Sequence, residues 1–330
     1  MQNPLCRLLS MAMLAASISF TAGAQTVKTF ISLPTASLGI AVTPVTDKVY
    51  AVSPGVGGET NDNLAVIDGN QDVLLQNIPV PLGASFTTVN YLINRIYVAG
   101  CNFSATPVTC TVTVINGKTN AVVTTIPVTT TPGFGLAGIV ANPITGFVYV
   151  ANASDNVINI IDGWQNKLAG TIGLNGNSPF SIAINPILNR LYVPFGNSLT
   201  DVVDITKKQI LATTTFGTST VGAAANLVTG HVFVTDDESG PSMTGVLDKD
   251  GALKASITVD DFPLGVDVDP VTNLAFIAST ALDSVTIIDG STNTVQSIVT
   301  GVPASYIAVN LATQKVYVSG RAGVAVLTEK

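Results

Sequence analysis

Ile139-Val-Ala-Asn-Pro-Ile-Thr-Gly-Phe-Val-Tyr-Val-Ala-Asn152, followed after a short gap by Val157-Ile-Asn-Ile-Ile-Asp-Gly163, is the stretch on which the fold turns. Apolar β-branched and aromatic residues alternate with small or polar ones, which is the pattern of half-buried strands. No helical period appears after the first two dozen residues. Between the strands stands turn chemistry. An Asn or Asp side chain bonds the backbone two positions on, Pro presets φ, and Gly is expected to take the positive φ that a hairpin requires. The aromatic of the second strand recurs as Tyr50, Tyr97, Tyr149, Tyr192, Phe233, Phe276 and Tyr317, at intervals of 47, 52, 43, 41, 43 and 41 residues.

Seven copies of a unit this long point to a β-propeller, because four strands of about 5–6 residues plus their turns fill about 40–50 positions. Each copy divides alike. A short inner strand such as Ile182-Ala-Ile184 runs into an Asn-Pro turn, and an alternating strand such as Leu191-Tyr-Val193 returns. A third strand ends in Ile-Asp-Gly, and the fourth is Thr-rich and β-branched, as in Val122-Val-Thr-Thr-Ile126. The last copy stops after Val324-Ala-Val-Leu327 with no fourth strand, while Thr26-Val-Lys-Thr-Phe-Ile-Ser-Leu33 precedes the first copy as an orphan of the same character. The N-terminal strand is therefore expected to complete the last blade, covering strand edges that would otherwise template aggregation. The expected fold is all-β, a seven-bladed β-propeller in one domain over residues 25–330.

The strand Val148-Tyr-Val-Ala-Asn152, preceded by Asn142-Pro143 and followed by Ile161-Asp-Gly163, resembles the YVTN-type β-propeller repeat. The resemblance covers essentially the whole chain after residue 24 and departs from the pattern at Tyr91, Leu227 and Leu311, which replace the turn proline. It implies an exported bacterial or archaeal propeller, of a group often described only as surface or periplasmic repeat proteins. Related seven-bladed propellers include lactone hydrolases, streptogramin lyases and subunits of quinone-cofactor dehydrogenases, so the resemblance implies a fold and not a reaction.

Residues 1–24 read as a signal peptide. Arg7 is their lone charge, the apolar run from Leu8 to Phe20 is too short to cross a bilayer, and Ala22-Gly23-Ala24 has the small-x-small cleavage pattern. A mature chain beginning near Gln25, periplasmic or extracellular and without a membrane span, is expected. The chain carries 14 basic and 21 acidic residues, and cleavage removes one basic residue, leaving −8. That balance disfavours nucleic acid as a partner, since phosphate backbones are met by cationic surfaces. Only 11% of residues are charged and 47% are hydrophobic, which describes a packed, turn-rich globule and not a disordered chain. Cys101 and Cys110 remain after cleavage, in a segment placed as a loop between neighbouring strands. In an oxidising compartment they are expected to close it as a disulfide. A monomer is expected.

Propeller geometry sends the turns after first and third strands to one face, where the Asn-Pro and Asp-Gly turns are uniform. The loops after second and fourth strands vary and lie on the other face, the natural place for a site on a rigid scaffold. Asp68, Asn116, Asp162, Asp204, Asp248 and Asp289 share one turn slot and read as Asx-turn caps. His231 is the only histidine, in the slot held by Lys48, Arg95, Arg190 and Lys315, and is expected to be exposed. This leaves Ser-His-Asp, Cys-His and His-metal chemistry without support. Gly133-Phe-Gly-Leu-Ala-Gly138 spells the dinucleotide fingerprint, but a strand and not a helix is expected to follow it.

Two groups of residues break the repeat. The inner-strand column reads Ala41, Thr88, Val140, Ala183, Ala224, Asp267 and Ala308, so one carboxylate stands where small or apolar side chains otherwise pack. Nearby loops add Asp236, Asp237 and Glu238 on one side and Asp260 and Asp261 on the other, oxygen ligands that would suit Ca²⁺. The plainer account is a solvated acidic rim, with Asp267 satisfied by backbone N–H groups. Phe86, Phe134, Phe180 and Phe262 are placed in loops entering new blades, as an aromatic rim for a sugar or peptide or as pins for the loops. Trp164 reads as a surface turn residue. Two functions follow: a non-enzymatic scaffold binding a protein or small molecule through the variable face, or a metal-assisted lactone or ester hydrolase centred near Asp267. No cofactor beyond the Ca²⁺ is expected; haem would find no Cys-x-x-Cys-His.

Overall fold

The computed structural model describes residues 25–55, 60–128, 131–176, 178–237 and 242–328; the expected signal peptide and Glu238 lie outside them. Among the described residues, 28 strands, numbered β1 to β28 in chain order, form seven four-stranded antiparallel sheets. The innermost strands are β2 (Ile40–Thr43), β6 (Ala84–Asn90), β10 (Leu136–Ala141), β14 (Ala183–Asn185), β18 (Thr220–Ala225), β22 (Pro263–Asp269) and β26 (Tyr306–Asn310). Each touches the next in this order, and β26 touches β2, which closes the ring.

Six sheets use four consecutive strands. The seventh runs β1-β28-β27-β26, combining β1 (Thr26–Ile31) with β27 (Lys315–Gly320) and β28 (Gly323–Thr328). Pairing extends from Thr26 opposite Thr328 to Ile31 opposite Val324. The junction with the first blade is also polar. Lys28 and Lys315 both reach the buried carboxylate of Asp72, and Lys315 also donates to the Gly69 carbonyl.

The hydrophobic cores lie between blades. One cluster joins Tyr97, Val112 and Val114 of the second blade to Ile139, Val148 and Val150 of the third. Another joins Phe276 and Ile287 of the sixth to Val316 and Leu327 of the seventh. The recurrent aromatics are fully buried in this layer, and three of their hydroxyls leave it to find a turn carbonyl in the following blade. Tyr317 donates to Gly69 at 3.1 Å, Tyr192 to Lys249 at 3.0 Å and Tyr97 to Gly163 at 3.5 Å. Tyrosine suits a slot whose ring end is dry and whose tip meets a carbonyl.

The turns differ from the sequence expectation in one respect. Positive φ in the turn after the inner strand falls mainly on Asp47, Asn94, Asn189, Asn273 and Gln314, with Gly only at Gly146 and Gly230. Short polar side chains tolerate this conformation. In the Asp-Gly turns, glycine serves close approach instead. A Cβ on Gly69 would lie 2.6 Å from the Asp47 carbonyl oxygen and 2.8 Å from the Tyr317 hydroxyl.

The Asx caps are present. Asp68 accepts from the N–H groups of Asn70 and Gln71, Asp162 from Trp164 and Gln165, and Asp289 from Ser291. The Asn at the end of the inner strand is buried at Asn90, Asn142, Asn185, Asn226 and Asn310, and in all of these but Asn142 it does two jobs. Its oxygen caps its own turn, as Asn185 does for Ile187 and Leu188. Its amide donates to the next blade: Asn90 to the Asn142 carbonyl, Asn185 to the Asn226 carbonyl and Asn310 to Asp47.

Candidate binding site on the ring axis

Six of the inner strands, with the segment Phe180–Ile182 that leads into β14, line a cavity of about 360 Å³ on the ring axis. Its wall is mostly the small and aliphatic side chains of the inner strands, from Ile40 and Ala41 round to Ala308 and Val309. Asp267 is the only carboxylate among the lining residues, and no Lys, Arg or His lines the cavity. The size falls at the lower end of small-molecule sites, which are typically apolar with a few placed polar groups.

Asp267 sits on β22 opposite Phe276, in the column inferred from the repeat. One carboxylate oxygen accepts the N–H of Val268 at 2.8 Å, and the other accepts the N–H of Val309 on the neighbouring inner strand, also at 2.8 Å. Burial pushes its pKa up to about 6 from the ordinary 3.8, the two N–H groups oppose the rise, and the charge of Asp269 adds to it. Asp267 thus links two blades. It stands in an apolar channel without an ion-pair partner among the described residues.

Two positions before the Asp267 column lies a second column that also faces the axis: Gly39, Phe86, Gly138, Ser181, Gly222, Gly265 and Tyr306. Its two aromatics stand on β6 and β26, on either side of β2. Their rings meet edge to face with centroids 6.3 Å apart. Gly39, immediately before β2, is the matching residue between them, and a Cβ there would fall 2.6 Å from the Ser85 carbonyl oxygen. The sequence contains the signal for this pair, two aromatics in a column of Gly and Ser, but it emerges only when the inner strands are aligned at this second offset.

The four phenylalanines separate. Phe86 lies on strand β6 and not in a loop, because the strand begins earlier than the hydrophobic pattern suggests, with a register shift between Ala84 and Phe86. Phe180 lies in the loop entering β14, lines the cavity and is 45% exposed. Phe134 and Phe262 stand in loops outside the cavity lining, and Phe134 is 77% exposed. Two of the four thus line the cavity and two do not.

The acids divide likewise. Asp236 is the last residue of β19 (Val232–Asp236), 1% exposed, and not part of a solvated loop. One of its oxygens accepts from the N–H groups of Thr218 at 3.0 Å and Ser219 at 2.6 Å. It thereby pins the loop that enters its own blade. Asp201 does the same for Asn175, whereas Asp62 holds Gly83 and Ala84 at the entry to the next blade. Asp237 is half-buried, its pKa raised by burial and by the charge of Asp236. Asp260 accepts from the Ser284 hydroxyl, and Asp261 is exposed. Among the described residues no group of three or more His, Cys, Asp or Glu is placed to hold a metal ion. Glu238 lies outside those residues.

Cys101 and Cys110 form a disulfide. They are not in a loop: they face each other as a cross-strand pair on β7 (Arg95–Asn102) and β8 (Thr109–Asn116), whose pairing extends beyond the ordinary strand length of the repeat. His231 lies immediately before β19 and is half-buried, not exposed. Trp164 is 68% exposed. Gly138 of the fingerprint-like run lies within β10, so no helix N-terminus follows it. No helix among the described residues is long and apolar enough to cross a membrane.

No protein-family model matches the chain, and no curated protein matches it in sequence. Among solved structures it is similar to a chain of Kuenenia stuttgartiensis hydrazine synthase, with a TM-score of 0.73 and 17% identity, covering 91% of this chain and 97% of that one. At that identity the likeness carries the fold alone.

Proposed function

We propose that this chain is an exported, non-enzymatic binding propeller of the YVTN-repeat type, and that its ligand is a small molecule held on the ring axis. The observation that carries the proposal is the axial cavity, with one carboxylate and an aromatic pair set into an otherwise apolar wall. This shifts the emphasis from the outer rim of the variable face to the channel, because only Phe86 and Phe180 of the four phenylalanines line the cavity, and Asp236 and Asp260 are hydrogen-bonded within the blades. The resemblance in repeat motif, the disulfide and the signal-like first 24 residues support export.

A hydrolase reading draws less support from the same geometry. A cation on the axis beside Asp267 would need further oxygen ligands, and the other six positions of the column are Ala41, Thr88, Val140, Ala183, Ala224 and Ala308. The test is ligand-observed NMR of the mature protein against a fragment library, repeated on Ala41→Phe, which fills the channel, and on Thr125→Phe, on an outer strand. Hits lost in the first variant and kept in the second support the axial site. Hits indifferent to Ala41→Phe remove it.

A further inference from the structure

Asp267 is held in place but its charge is not balanced. Each oxygen accepts one backbone N–H, whereas an ionised carboxylate offers about four acceptor sites, so acceptor capacity remains. No Lys, Arg or His side chain lies within ion-pairing distance among the described residues. A carboxylate in an apolar enclosure is costly unless paired, and two amide dipoles are a weaker counterweight than a cation. The same cavity contains Phe86 and Tyr306, whose rings offer apolar surface to a ligand's body. The remaining lining is small and aliphatic and would accept an uncharged body.

Building on the axial cavity as a ligand site, we infer that its ligand is a small organic cation, with an ammonium group donating to Asp267 and an apolar body against Phe86 and Tyr306. An anion of the same shape is excluded by the carboxylate, with no basic side chain in the wall to offset it. A neutral alcohol fills the same space without the charge-assisted bond. The column itself indicates which replacements the ring tolerates, since Ala and Thr already occupy Asp267's slot in other blades.

Isothermal titration with benzylammonium, benzyl alcohol and benzoate, on the mature protein and on Asp267→Ala and Asp267→Thr, tests the assignment. The ammonium is expected to bind about tenfold or more tightly than the alcohol, as a charge-assisted bond to a half-buried carboxylate implies, and benzoate is expected not to bind. Both substitutions should erase the ammonium's advantage over the alcohol. Equal binding of ammonium and alcohol, or an advantage that survives both substitutions, overturns the cation assignment and leaves the cavity reading standing. Absence of binding by all three at millimolar concentration overturns both. The comparison of probes on the native protein stands whether or not a variant folds.

Discussion

Asp267→Ala should make the protein less dependent on acid for its stability. The folded-state pKa of Asp267 is about 6 against an ordinary 3.8, so the folded protein holds this proton more tightly than the unfolded chain. The group therefore contributes stability below the ordinary value, and that contribution is lost as pH rises from about 4 through about 6. At about 1.4 kcal/mol for each tenfold in proton affinity, the whole effect is about 3 kcal/mol, of which about 2 kcal/mol falls between pH ~4.5 and ~7.5. Other groups near the site do not reverse the sign. Asp269, on the same strand, pushes the pKa further up. Tyr91 and Tyr306 line the same cavity, and burial raises both above 10, so they stay neutral throughout. Removing the carboxylate also strands the N–H groups of Val268 and Val309, but that loss does not vary with pH. Urea unfolding of native protein and variant at both pH values isolates the term. The free-energy difference, variant minus native, should rise by about 2 kcal/mol from the lower to the higher pH. In thermal melts this corresponds to about 4 °C. A difference unchanged to within about 0.5 kcal/mol would refute the placement of an ionisable, desolvated carboxylate on the axis.

Replacing both Cys101 and Cys110 by Ser should lower stability by about 2–3 kcal/mol, the chain-entropy value for so short a loop, measured by urea unfolding with and without reductant. An unchanged midpoint would mean that the cross-strand pairing of β7 and β8 holds this hairpin unaided. Asp72→Ala leaves Lys315 without its carboxylate and frees Lys28, and should cost about 2–3 kcal/mol, discounted because Lys28 is half-exposed. Equal melting temperatures for variant and native protein would count against that junction. Deleting residues 25–31 uncovers the edge of β28 and should produce concentration-dependent self-association by light scattering; a monodisperse monomer with the native melting temperature would contradict it.

The ring was readable because its strongest periodic marks are also its most buried groups. Tyr50, Tyr97 and Tyr317 recur in sequence since each must fill the same gap between two blades, and the asparagines that end the inner strands recur because each caps its turn and most, such as Asn90 and Asn310, also bridge to the next blade. Asp267 was readable as an exception to such a column. What escaped was whatever depends on where a strand starts or on which residues meet across several blades. Phe86 looks like a loop residue because the register shift that brings it into β6 has no composition mark of its own. Asp236 looks solvated because a run of acids ordinarily is, yet its burial is set by Thr218 and Ser219, whose N–H groups need an acceptor. The Phe86–Tyr306 contact joins residues 220 positions apart, from two blades that are not neighbours.

Thr26 pairs with Thr328 at the outer edge of one blade, and the two strands run antiparallel from there to Ile31 and Val324. A force applied to both ends therefore peels this seam open rung by rung, the weakest way to load a sheet, while a tether at one end alone leaves it untouched. The same adjacency means that a short peptide joining the two ends could weld the seam and let the chain be cut in any exposed turn, moving the opening of the ring to a blade of choice.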